Sequence, residues 1–236
     1  MSNHSPDGAG TILIVGASRG LGYAMADELA SRGWMVVGTE QNHGSDLHAL
    51  AARHPGRIEV EAVDITRADR IAGLHERLSG RRLDILFVNA GTANLNQGET
   101  IADVSTDEFV RVMVTNALGV MRTVEALQDL VPPDGLIGVM SSGQGSIANN
   151  TRGGHEIYRG SKAALNQYMR SYAARHAESR RAMLLMAPGW IRTELGGPGA
   201  TFSVEETTPE IVDVLLAQRG RPGLRFLDRK GQTVPW

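Results

Sequence analysis

The sequence predicts an α/β fold: one domain on a doubly wound parallel sheet of about seven strands, with helices on both faces. Three observations predict it. Short apolar runs alternate with stretches of helical spacing along nearly the whole chain, which is the pattern of right-handed βαβ crossovers. The first apolar run passes directly into a glycine-rich loop that opens a helix. The chain has 236 residues, of which 42% are hydrophobic, enough for one sizeable core, and no repeat, linker or low-complexity stretch divides it.

The elements follow in order. Thr11-Ile12-Leu13-Ile14-Val15 is a short apolar run ending in glycine, as a buried parallel strand should be. Leu21 to Arg32 has Leu21, Met25 and Leu29 four apart, one face of a helix. Trp34 to Gly38 is a second strand, Leu47 to Arg53 a helix, Ile58 to Val63 a third strand, Arg67 to Leu78 a helix and Asp84 to Asn89 a fourth strand. Thr106 to Leu130 is a long helical stretch stopped by Pro132-Pro133. Leu136 to Ser141 is a fifth strand, Tyr158 to Glu178 a helix, and Met183 to Ala187 a sixth strand stopped by Pro188-Gly189. Pro209 to Gln218 is a last helix, and Gly223 to Phe226 is a candidate seventh strand.

Composition excludes several functions. The 24 basic and 26 acidic side chains give a formal net charge of −2, so nothing advertises nucleic acid or an anionic membrane. With 0 cysteines there are no disulfides, thiolate zinc sites or cysteine nucleophiles, and no metal ligand set is expected. No apolar run approaches the roughly 20 residues that span a bilayer. Residues 1–10 are polar, lack the pattern of a signal peptide and are expected to be a mobile tail. The domain is expected to occupy residues 11–236, in the cytoplasm.

Two local patterns carry chemistry. Gly16-Ala17-Ser18-Arg19-Gly20-Leu21-Gly22 joins the first strand to the first helix. Glycines let backbone approach a pyrophosphate, and a helix N-terminus supplies N–H donors and partial positive charge. The spacing G-x-x-x-G-x-G differs from the common dinucleotide fingerprint, and the alternative is an ordinary glycine turn. Downstream, Tyr158 and Lys162 stand four apart in a helical run, so they share a face. A lysine ammonium beside a phenol favours the phenolate and lowers its pKa; the alternative is a surface tyrosine beside a solvated lysine. At the end of the second strand, Glu40 is placed to accept hydrogen bonds from ribose hydroxyls and to repel a 2′-phosphate, which argues for NAD. Arg19 argues the other way, since a guanidinium pairs with a 2′-phosphate. The balance leans to NAD over NADP.

The glycine loop, Asn89-Ala90-Gly91 after the fourth strand, and Tyr158-Arg159-Gly160-Ser161-Lys162 occur in an order and at separations that resemble the short-chain dehydrogenase/reductase family, over nearly the whole chain from about residue 11. The resemblance implies a Rossmann-type sheet of seven strands, a nicotinamide cofactor and an Asn-Ser-Tyr-Lys tetrad: Asn116 holding a relay water, Ser142 binding the substrate carbonyl, Tyr158 moving the proton and Lys162 tuning it and binding ribose. It also implies that Asp64 and Ile65 bracket the adenine, that Asn89, Ala90 and Gly91 line the cofactor site, and that Pro188, Gly189, Ile191 and Thr193 clasp the carboxamide and diphosphate. The expected partner is a small-molecule carbonyl or alcohol, and the family implies a homodimer or homotetramer through its long helices. A regulatory protein that senses a dinucleotide is the other reading.

Within the family, Gly145-Ser146-Ile147, Tyr158-Arg159 with Ser161 to Asn166, the run Pro188 to Gly197 and Pro235-Trp236 resemble the C-factor and sniffer-type carbonyl reductase branch. Many members of that branch look NADP-dependent, with a basic residue where this chain has Gln41. Sixteen positions separate Ser142 from Tyr158, a longer connection than in many members, which leaves open whether Ser141 or Ser142 faces substrate. The segment from Gly196 to Pro209, a substrate lid in the family, is short, which suggests an open cleft. Trp190, Leu195 and Phe202 either line it or belong to the core, and His155 reads as a solvated loop residue.

Overall fold

A computed structural model describes residues 9–236. Most of the expected tail, residues 1–8, lies outside the described residues. Gly10 is already part of the fold, because its carbonyl accepts the Met35 N–H at 3.0 Å.

The strands are β1 (Thr11–Val15), β2 (Met35–Glu40), β3 (Ile58–Ala62), β4 (Ile85–Val88), β5 (Leu136–Met140), β6 (Ala182–Ala187) and β7 (Gly223–Asp228). All pair in parallel as one 7-stranded sheet in the order β3-β2-β1-β4-β5-β6-β7. The helices are α1 (Gly20–Ser31), α2 (Leu47–Arg53), α3 (Ala68–Leu78), α4 (Thr106–Met113), α5 (Val120–Leu127), α6 (Glu156–Arg175) and α7 (Val204–Ala217).

Side chains alternate across each strand, and the alternation sorts the core into two layers. Leu13, Val15, Leu86, Val88, Ile137, Val139 and Leu185 face α3, α5 and α6, where they meet Leu74, Val124, Leu165 and Met169. Ile12, Ile14, Ile85, Phe87, Leu184 and Met186 face α1, α2 and α7, where they meet Met25, Leu29, Leu47, Ile211 and Leu215. The strand order turns back between β1 and β4. In sheets of this kind the crevice at the carboxyl ends of those strands is the ligand site.

Three expectations need correction. The second strand ends at Glu40 rather than Gly38, because β3 pairs with β2 as far as Glu40 and Ala62. The last helix starts at Val204, not Pro209: Ser203 Oγ accepts the Glu206 N–H while the Glu206 carboxylate accepts the Ser203 N–H, a reciprocal cap. Pro209 sits inside the helix. The long helix over 106–130 is interrupted by a π-helical segment, Val114–Gly119, and ends in a 3₁₀ turn, Gln128–Leu130. Gly119 lies where that segment presses on backbone, and a Cβ there would be 2.6 Å from the Ile65 carbonyl oxygen.

Gly119→Ala should therefore destabilise the protein by about 1–3 kcal/mol, the range for forcing atoms into a packed site; the shift in the urea midpoint measures it. Ser203→Ala should cost about 1 kcal/mol by the same measurement, the usual loss for an N-cap.

Candidate active site

The glycine loop is held by its own main-chain groups. Gly16 N–H donates to Thr39 Oγ1 at 2.9 Å, Ala17 N–H donates to the Thr39 carbonyl at 2.8 Å, and Asn89 Nδ2 donates to the Gly16 carbonyl at 2.7 Å. Gly16 has φ +90°, and a Cβ there would lie 2.8 Å from Ala90 Cα. A Cβ on Gly22 would come within 2.1 Å of the Gly16 carbonyl oxygen. Gly20, at φ +56°, opens α1, which has no side-chain cap at its N-terminus. The first-turn N–H groups have no acceptor within the helix, and Ser18, Arg19 and Leu21 flank them. This donor set suits a pyrophosphate.

At the end of β2, Glu40 is 1% exposed. Its Oε2 accepts from Ser45 N–H at 3.1 Å and from Ser45 Oγ, and its Oε1 meets His48 Nε2 at 2.9 Å and His43 Nδ1 at 3.3 Å. Burial alone would raise the Glu40 pKa, but the hydrogen bonds from Ser45 and His48 outweigh it and hold the carboxyl at about 2. The carboxylate is thus turned into the protein, not presented for ribose hydroxyls as expected, because residues 43–48 fold back over it. Asp64 is engaged in the same way by Thr66 N–H (2.9 Å), Thr66 Oγ1 (2.7 Å) and the Gln41 side chain, and burial fails to raise its pKa against those bonds. Ile65 is 5% exposed, packed beneath.

The four tetrad candidates converge on the end of β5 and on α6. Ser141 is buried and its hydroxyl donates to Asn166 Oδ1, whereas Ser142 shares a hydrogen bond with the Tyr158 hydroxyl. Of the two serines, Ser142 is the one on the tyrosine side. Lys162 is 2% exposed; its Nζ donates to the Met140 carbonyl at 2.9 Å and lies 5.8 Å from the centre of the Tyr158 ring. Burial pushes Tyr158 up to about 12 despite the Ser142 bond, and pulls Lys162 down to about 8. The expected lowering of the tyrosine pKa by lysine is not seen in the polypeptide itself: desolvation of the phenolate is the largest influence, and the Ser142 hydrogen bond is what acts against it.

Asn116 is fully buried in the π-helical segment. Its carboxamide oxygen accepts the Thr92 N–H (2.8 Å), and its Nδ2 donates to the Thr92 carbonyl (2.7 Å) and to Ser161 Oγ (2.9 Å). Ser161 Oγ in turn donates to the Tyr158 carbonyl at 2.7 Å. The Asn116 side chain is therefore occupied in bracing the loop after Gly91 against α6. Gly91 admits both partners: a Cβ there would be 3.3 Å from Asn116 Oδ1 and from Lys162 Nζ. Arg111 strengthens the same loop, donating to Thr92 Oγ1 and the Ala93 carbonyl while paired with Glu108.

After β6, Pro188 leads to Gly189, at φ +95°. Ile191 pairs with Phe202, and Thr193 rests over Gly20, where a Cβ would be 3.6 Å from its Cγ2. The strand-following segment thereby closes on the glycine loop, and Arg19 Nη1 meets Glu194 Oε2 at 2.6 Å across it. Trp190 and Leu195 are exposed, while Phe202 is partly buried beneath the Arg229 guanidinium. His155 is exposed with φ 51°, ahead of α6. Sequence reasoning missed Thr39, Thr92, Arg111 and Ser161. Thr92 reaches Asn116 through main-chain groups, which leave no pattern in side-chain identity, and Thr39 divides its contacts between its hydroxyl and its carbonyl; only Ser161, inside the Tyr–Lys motif, carried a visible signal.

The family model for enoyl-(acyl carrier protein) reductase matches residues 16–210. A solved structure described as a short-chain dehydrogenase/reductase from Burkholderia multivorans with bound NADP is 61% identical, with a TM-score of 0.95 over 97% of this chain and 100% of the other. A carbonyl reductase from Pseudomonas aeruginosa PAO1 in complex with NADP is 36% identical, with a TM-score of 0.89 over 97% of this chain and 100% of its own. The C-signal protein of Myxococcus xanthus is 33% identical over 156 residues, 65% of this chain and 93% of that protein. With its parallel sheet, its glycine loop and its tyrosine–lysine helix, the chain belongs to the short-chain dehydrogenase/reductase family.

Proposed function

We propose that this protein is an NAD(P)-dependent oxidoreductase that interconverts a small-molecule carbonyl and its alcohol, with Tyr158 as the proton donor and acceptor. The observation that carries it is the convergence of Ser142, Tyr158 and Lys162 at the carboxyl edge of the sheet, with Ser142 on the tyrosine side and the Lys162 ammonium buried 5.8 Å from the centre of the phenol ring. The bound nicotinamide supplies or accepts the hydride. The chain's own residues do the rest. Gly16 to Gly22 would hold the pyrophosphate, and Pro188 to Thr193 would cover it. The two hydroxyls bind the carbonyl oxygen as negative charge develops there. A phenol held near 12 stays protonated until that oxygen takes its proton, and the Lys162 ammonium then favours the phenolate left behind.

For the cofactor, the position of Glu40 now favours NADP over the NAD that its identity suggested. Its charge is already satisfied by Ser45 and the imidazoles, and a relative of high identity carries NADP. Arg19 is available for a 2′-phosphate: its pair with Glu194 leaves both side chains 74% exposed, and a pair so solvated is worth about 1 kcal/mol or less. A homodimer or homotetramer through the α4–α5 and α6 helices is part of this reading, as is a cytoplasmic location. No helix among the described residues is long and apolar enough to cross a membrane.

The similarity to C-signal supports one other reading, a signalling protein that uses the fold to sense a dinucleotide. Oxidation of NADPH and NADH followed against aldehydes, ketones and quinones separates the two. The expected result is turnover with NADPH preferred; binding of both nucleotides with no carbonyl reduced would favour the sensor. Tyr158→Phe should lower turnover by about 10²- to 10⁴-fold, the usual contribution of a positioned acid, with nucleotide binding retained. Undiminished activity in that variant would remove Tyr158 from its role.

A further inference from the structure

A second group of chemistry-bearing side chains stands apart from the tyrosine and lysine. Glu40, His43 and His48 bring a carboxylate oxygen and two imidazole nitrogens within 4.8 Å of one another. The nitrogens approach the same oxygen, Oε1, from the solvent side, His48 Nε2 at 2.9 Å and His43 Nδ1 at 3.3 Å. The other oxygen, Oε2, is fixed by the Ser45 N–H and hydroxyl. That is the arrangement by which outer groups orient a ligating carboxylate. The carboxylate is 1% exposed, and the imidazole side chains are 86% and 52% exposed, so the group is anchored on one side and open on the other.

We propose that Glu40, His43 and His48 form a binding site for a divalent transition-metal cation of the zinc class, with its remaining coordination positions open to water. The donor set selects the class: two imidazoles and one carboxylate suit Zn²⁺ and its neighbours, whereas Mg²⁺ and Ca²⁺ prefer all-oxygen shells. Ligand bonds of about 2.0–2.2 Å to a tetrahedral ion separate donor atoms by roughly 3.3 Å, close to the 2.9 and 3.3 Å between Oε1 and the two nitrogens. A rotation of exposed His43 and a small withdrawal of His48 admit the ion. It would replace two hydrogen bonds to a buried charge with direct coordination, and would tie residues 40–48 together. Glu40 directly follows Thr39, the residue that seats Gly16 and Ala17, so the ion would brace the strand end that carries the glycine loop.

Titration calorimetry of the full chain with Zn²⁺ alone tests this, with Mg²⁺ as the contrast. One equivalent of Zn²⁺ should bind and raise the melting temperature, while Mg²⁺ should not bind. The His43→Ala/His48→Ala variant removes both imidazoles; with its own metal-free melting temperature, lowered by the lost hydrogen bonds to Glu40, as the reference, it should bind Zn²⁺ at least ten-fold more weakly and gain no melting temperature from it. Equal Zn²⁺ affinity in that variant, no Zn²⁺ binding by the parent protein, or equal binding of Mg²⁺ would each overturn the assignment.

Discussion

The arrangement depends on one close approach. Gly16 leaves β1 at φ +90° and packs so tightly on the backbone of Ala90 that no side chain fits between them. Thr39 from one neighbouring strand and Asn89 from the other hold the loop's main-chain groups. Because β1, β2 and β4 are adjacent in the sheet, three strand ends position one helix N-terminus. The loop needs no side-chain chemistry of its own: its donors are backbone N–H groups, aimed by where the strands stop.

The polar machinery follows a similar logic on the other side of the crevice. A buried carboxamide, Asn116, spends its donors and acceptor on Thr92 and Ser161, joining the loop after β4 to α6. Leaving such a group unpaired in the interior would cost far more than the net gain of each bond, so the network specifies a geometry more than it adds stability. Burial then sets the electrostatics. It keeps Tyr158 protonated and reduces the proton affinity of Lys162, which places the two groups' proton affinities further apart than their proximity in sequence suggests.

Much of this was legible in the sequence. The strand and helix alternation, the glycine loop and the spacing of Tyr158 and Lys162 are written in side-chain types, and the seven-stranded sheet follows from them. What was not legible depends on where side chains turn. Glu40 reads as a ribose acceptor until residues 43–48 fold over it. Pro209 reads as a helix start until Ser203 and Glu206 cap each other three to six residues earlier. Ser141 and Ser142 are equivalent in sequence, and only the path of the chain beyond β5 sends one toward Asn166 and the other toward Tyr158. Thr92 and Thr39 are anonymous threonines, and the Thr92 N–H and carbonyl and the Thr39 carbonyl that carry contacts would be there whatever the side chain.

The π-helical segment Val114–Gly119 amounts to one residue more than a regular helix would use. Each residue of an α-helix turns the chain by about 100°, so the segment sets the rotational phase between α4 and α5. Loss of a single residue there would let the helix run on regularly and improve its own hydrogen bonding. It would also swing Glu108 and Arg111 by about a quarter-turn relative to α5, off the Thr92–Leu95 loop they now grip. An alignment that slides by one position across this stretch would thus describe a protein whose loop after β4 has lost its hold on α4.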